Sequence, residues 1–128
     1  MKQIVFVMAV LLTSLLVAAA GEKPAKADRL LHVVSFKFKP SASQAQIDQV
    51  VAAFRDLKKK IPVIRQLEWG TNISPEKHDK GFTHGFLLAF KNEKDRDAYL
   101  VHPEHQAFGK IVGPLLDDVF VIDYWAQK

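Results

Sequence analysis

Leu30 to Phe38 reads LLHVVSFKF, a run rich in β-branched and aromatic side chains. Its alternation predicts a strand with Leu30, His32, Val34, Phe36 and Phe38 on one face and Leu31, Val33, Ser35 and Lys37 on the other. Pro40 ends it. Immediately downstream, Ser43 and Gln46 have the spacing of a capping box, which opens a helix through Lys60. Ile47, Val50, Val51, Phe54, Leu57 and Ile61 keep to one stripe of that helix, and Pro62 stops it. Lys58-Lys59-Lys60 sits at its carboxyl end, where cations suit the helix dipole.

The rest of the chain continues the pattern. Val63 to Thr71 reads as a second, less regular strand, followed by the polar loop Asn72 to Gly81. Phe82 to Phe90 (FTHGFLLAF) predicts a third strand with Phe82, His84, Phe86, Leu88 and Phe90 on one face. Asn92 is placed to cap a short helix through Val101, and Pro103 to begin another that runs to about Leu116. Val119 to Trp125 (VFVIDYW) is the last strand. The order β-α-β-β-α(α)-β defines an α+β, ferredoxin-like subunit: a four-stranded antiparallel sheet with helices on one face.

That plan leaves one sheet face uncovered, yet Leu31, Val33, Leu87 and Ala89 make it apolar, and the last strand is apolar on both sides. Such a patch is too large for a soluble monomer. The expected cover is a second copy, giving a homodimer through the sheet face and a dimeric α/β barrel.

Composition sets the remaining bounds. The 128 residues are 48% apolar, but 16 of the first 20 are apolar and carry a single charge, Lys2. A basic start, an apolar stretch from Ile4 to Val17 and Ala18-Ala19-Ala20 before Gly21 form the pattern of a signal peptide over residues 1–20. The apolar stretch is too short to cross a bilayer as a helix. A second small-residue site at Ala25-Lys26-Ala27 leaves two cleavage points open. Residues 21–29 read as a polar spacer, and 30–126 as the folded domain. The expected location is secreted or periplasmic, with no membrane contact once the signal is removed. There is no cysteine, so no disulfide or cysteine-borne lipid supports the domain. Beyond the signal, 17 basic and 14 acidic residues without a basic stripe argue against nucleic acid as a partner.

Five histidines carry the chemistry. His78 falls in the polar loop. His32 and His84 share strand faces with large apolar residues and should point toward the helices. His105 stands three residues before Phe108 and six before Ile111, near the buried face of its helix, and His102 precedes a proline and is placed to cap that helix. Tyr99 lies just upstream. Each is readable as a hydrogen-bonded core or capping residue, or as part of a cavity lining, because burying several polar heads costs free energy unless partners meet them. A metal site on His102 and His105 lacks an accompanying cysteine or evident inward carboxylate, so no metal and no cofactor is expected.

The segments LLHVVSFKFKP, IPVIRQLEWGTNISPE, KGFTHGFLLAF, AYLVHPEHQAF and VFVIDY resemble, in order and spacing, the stress-responsive A/B barrel (Dabb) family from about Leu31 to Trp125. The resemblance implies dimeric α+β barrels of ferredoxin-like subunits. It also implies, by likeness to a plant polyketide cyclase of that family, His105 as a general base and Tyr99 as its hydrogen-bonding partner. His32 and His84 match further pocket histidines, and Phe54 stands where that cyclase has a pocket tyrosine. His102 joins the expected ligand-binding set. Val50 and Val51 replace neighbouring aromatics, so the substrate is not carried over. Two functions follow as expectations: an exported module that binds a small apolar or carbonyl ligand or protects against stress, and a cofactor-independent lyase or cyclase acting on a polyketide-like carbonyl compound.

Overall fold

The computed structural model describes residues 29–128. The proposed signal peptide, and the spacer apart from Arg29, lie outside the described residues. Strand β1 (Leu30–Phe38) is followed by α1 (Gln44–Lys60), β2 (Gln66–Thr71), β3 (His84–Phe90), α2 (Glu93–Leu100), α3 (Pro103–Val112) and β4 (Leu116–Trp125). The strands form one antiparallel sheet in the order β2-β3-β1-β4, so the first strand is central and the last is an edge. This is the ferredoxin-like arrangement.

Local chemistry explains where the helices begin. The Ser43 hydroxyl accepts from the Gln46 backbone, and the Gln46 side chain accepts from the Ser43 backbone, completing the capping box of α1. Asn92 caps α2 by accepting from the Asp95 N–H. His102 caps α3, its Nδ1 accepting from the Glu104 N–H, with Pro103 in the first turn.

Val50, Val51, Phe54 and Leu57 of α1 pack on the sheet, where Phe36, Phe86, Leu88 and Phe90 meet them. Phe108 and Val112 of α3 complete the layer. Ile47 stays half-buried at the open end of the stripe.

Several boundaries differ from the sequence reading. The second strand starts at Gln66, not Val63, because the chain turns after Pro62 and the Ile64 N–H donates to the Ile61 carbonyl. Both isoleucines plug the core instead of joining the sheet. The third strand starts at His84. Phe82 sits in the preceding turn, its N–H donating to the Asp79 carbonyl, and its ring meets Phe120 on the uncovered side of the sheet. It therefore leaves the face it was expected to share with His84 and Phe86. The last helix ends at Val112 and tightens into a 3₁₀ turn at Gly113–Leu115, since Pro114 has no N–H to continue the ladder. Ile111 is exposed, being six residues from His105 and so off its face; Val112, seven residues on, is the buried one.

The uncovered face is concentrated on the edge strand. Phe120, Ile122 and Tyr124 are each nearly half exposed, with Val33 and Leu87 half-buried beside them. Leu31 and Ala89, expected in the same patch, are already buried.

Candidate functional site

A cavity of about 240 Å³ lies between the sheet and α1, α2 and α3. Strand β1 contributes His32, α1 contributes Phe54, α2 contributes Tyr99 and α3 contributes His105, Phe108, Gly109 and Val112. The spacing 105, 108, 109, 112 is that of one helix face. Val119 and Val121 of β4, each nearly half exposed, line the open side of the cavity. Its wall is therefore mostly hydrocarbon, with polar heads gathered at one end.

Those heads are close together. The His32 ring meets the edge of Tyr99 at 5.7 Å between centroids, and Tyr99 lies 4.4 Å from the His105 ring. His105 Nδ1 is 3.0 Å from the Leu100 carbonyl, which can only accept, so Nδ1 carries the hydrogen and Nε2 keeps the lone pair. Burial lowers the His105 pKa below its ordinary value, with His32 and His102 adding to the effect and the Leu100 bond opposing it. His105 is accordingly neutral at neutral pH. Burial, reinforced by Asp123, raises the Tyr99 phenol, which stays protonated as a donor.

His32 has a partner that sequence reading did not supply. Its Nδ1 lies 2.6 Å from Asp123 Oδ1 on the neighbouring strand, and Asp123 Oδ2 accepts from Arg96 Nη1 at 2.8 Å. The register pairs His32 with Asp123, on the covered face. An inward carboxylate was thus present but unrecognised. The only signal for it was an acidic residue inside the apolar run VFVIDYW.

Two of the expected ligand-binding histidines lie apart from this cluster. His84 is on the covered face, as expected, but at the other end of the sheet, edge-on to Phe38 and stacked with Trp69, with the Thr83 hydroxyl 2.8 Å from Nδ1. Burial lowers its pKa against an opposing attraction from Asp48. It does not line the cavity, because the register pairs it with Phe36, four residues along β1 from His32. His102 also stays out of the lining: its Nδ1 is engaged in capping α3. Among the described residues, no group of three His, Asp or Glu side chains is arranged to hold a metal ion.

The sequence matches the stress responsive A/B barrel domain over residues 30–126. The chain belongs to this family. It is 32% identical over 93 residues to the stress-response A/B barrel domain-containing protein HS1 of Arabidopsis thaliana, spanning 73% of this chain and 85% of that one. It is 25% identical over 97 residues to olivetolic acid cyclase of Cannabis sativa, spanning 76% of this chain and 96% of the cyclase. Among solved structures, the hydroxynitrile lyase of Passiflora edulis superposes with a TM-score of 0.75 at 28% identity, covering 80% of this chain and 96% of the lyase. A dimeric, ferredoxin-like protein of unknown function from Bacteroides fragilis superposes with a TM-score of 0.65 at 28% identity, covering 79% and 99% of the two chains.

Proposed function

We propose that this protein is an exported, homodimeric A/B barrel that binds a small, largely apolar molecule carrying a carbonyl or hydroxyl group. The observation that carries the reading is the cavity itself: hydrocarbon walls with His32, Tyr99 and His105 gathered at one end. At about 240 Å³ it exceeds the roughly 150 Å³ cavity that accepts benzene, so a substituted ring or short chain is the fitting size. Polar heads at one end orient such a ligand while the walls supply affinity. The half-exposed Phe120, Ile122 and Tyr124, together with the dimeric relative from Bacteroides fragilis, support pairing through the uncovered sheet face. The basic, apolar and small-residue pattern of residues 1–20 supports export.

The test uses Gly109, which lines the cavity and has no atom within 4 Å of where a Cβ would stand. Gly109→Leu fills the space from the helix side. Isothermal titration and thermal shift with a panel of small aromatic ketones, aldehydes and phenols should show saturable binding to the wild type and none to Gly109→Leu. Equal binding by both proteins would sink the cavity as the site.

A second reading is favoured by one observation, the neutral His105 with its Nε2 lone pair free beside the protonated Tyr99. It is a cofactor-independent lyase or cyclase in which His105 removes a proton next to a carbonyl. Tyr99 donates to the oxygen that gains charge; positioned acid–base groups contribute roughly 10²–10⁴-fold. The similarity to a cyclase and to a hydroxynitrile lyase supports this class. Cyclisation of a linear polyketide-like carbonyl compound assays the C–H proton transfer; cyanohydrin cleavage, in which His105 would instead take the hydroxyl proton as the C–C bond breaks and cyanide leaves, assays the lyase. Turnover unchanged in both His105→Ala and Tyr99→Phe would remove these roles.

A further inference from the structure

We propose that Arg96 and Asp123 are positioning residues that hold His32 as its Nδ1–H tautomer, with Nε2 turned toward the cavity as a second proton acceptor. The geometry is a relay from surface to cavity. Arg96 Nε donates to Asp97 Oδ1 and its Nη1 donates to Asp123 Oδ2, both at 2.8 Å. The second oxygen of Asp123 lies 2.6 Å from His32 Nδ1. A carboxylate flanked by a guanidinium is an acceptor only, so the hydrogen between Asp123 and His32 belongs to the imidazole. His32 is 5% exposed, and its ring is boxed by the edges of Phe90 and Tyr99, which leaves little room for it to turn over. The same logic holds for His105, pinned through Nδ1 by the Leu100 carbonyl.

The consequence rests on the ligand-binding reading above. Two imidazoles present Nε2 to one end of an apolar cavity, with Tyr99 between them as a donor. That arrangement selects a neutral ligand with at least one hydroxyl or acidic C–H to donate, over an anion, which would meet two lone pairs.

The relay is tested without any ligand, so its failure and a failure to bind are separate results. Long-range ¹H–¹⁵N spectra of the full chain, labelled at histidine, report which ring nitrogen carries hydrogen and how fast it exchanges. The expected result is a slowly exchanging Nδ1–H on both His32 and His105. Asp123→Ala should abolish the Nδ1–H preference of His32 and leave that of His105 intact, which also shows that the fold survives. Arg96→Gln, which removes the charge but keeps a polar side chain, should speed His32 Nδ1–H exchange roughly tenfold, the equivalent of one charge-assisted hydrogen bond, and Arg96→Lys should restore most of the protection. A wild-type His32 carrying its hydrogen on Nε2 overturns the proposal. So does an exchange rate that Arg96→Gln leaves unchanged.

Discussion

The rings of Phe54 and Phe86 stack with centroids 4.1 Å apart and planes 5° from parallel. One comes from α1 and the other from β3; Phe36 lies 5.9 Å from Phe54 and 5.3 Å from Phe86, and Phe108 lies 4.8 Å from Phe54. This stack joins the helix layer to the sheet, and Phe54 also lines the cavity. Phe86→Ala should therefore cost about 3–5 kcal/mol of stability in urea unfolding. The double variant with Phe54→Ala should lose less than the sum of the two single losses, because both remove the same contact.

Ser43→Ala removes the hydroxyl that accepts the Gln46 N–H at the start of α1. A loss of about 1 kcal/mol is expected in the same unfolding measurement. Ligand affinity should not change, because Ser43 does not line the cavity.

Gly109 stands in the middle of α3, where a helical glycine is unfavourable and a Cβ meets open space. Gly109→Ala should raise stability by about 0.5–1 kcal/mol, read as a higher Tm.

The pH dependence of stability follows from His105 and His84. Burial lowers both pKa values below the ordinary 6.5, so the folded state favours their neutral forms. Their contribution to stability is fully present above the unfolded value of 6.5 and is lost as pH falls through the lower folded values. Tm should therefore decline as pH drops below 6.5, and the decline should be shallower in His105→Gln. A Tm that rises on acidification over that range would contradict the burial of these rings.

Ile122 is 46% exposed on the uncovered face, between Phe120 and Tyr124. Ile122→Glu places a charge where the proposed second copy packs. Light scattering after gel filtration should show the wild type at twice the mass of the variant at micromolar concentration, with circular dichroism unchanged.

Much of this molecule was legible from local chemistry. The capping pairs at Ser43 and Gln46, the Asn92 cap and the His102-Pro103 start each involve residues within one turn of one another, so spacing alone defines them. The inward side of α1 follows from a 3.6-residue period, and the faces of β1 from alternation. Of the proposed site, His32, His105 and Phe54 were each recognisable as inward-facing, Tyr99 entered through the family resemblance, and the fold brings all four to one cavity.

Other features were decided only when distant segments met. Phe82 looked like a strand residue by alternation, but the turn closing on Asp79 carries its ring to the opposite face. His84 has the right face and the wrong end, a distinction made by sheet register alone.

Asp123 shows the limit most clearly. Ninety-one residues separate it from His32, and nothing in either neighbourhood specifies their encounter. The sequence by itself determined the order of elements, their caps and the side each presents, because those depend on neighbours along the chain. The tertiary structure decided which polar heads share a cavity and which carboxylate answers which imidazole, because side-chain hydrogen bonds act over about 3 Å and only strand pairing brings those atoms within reach.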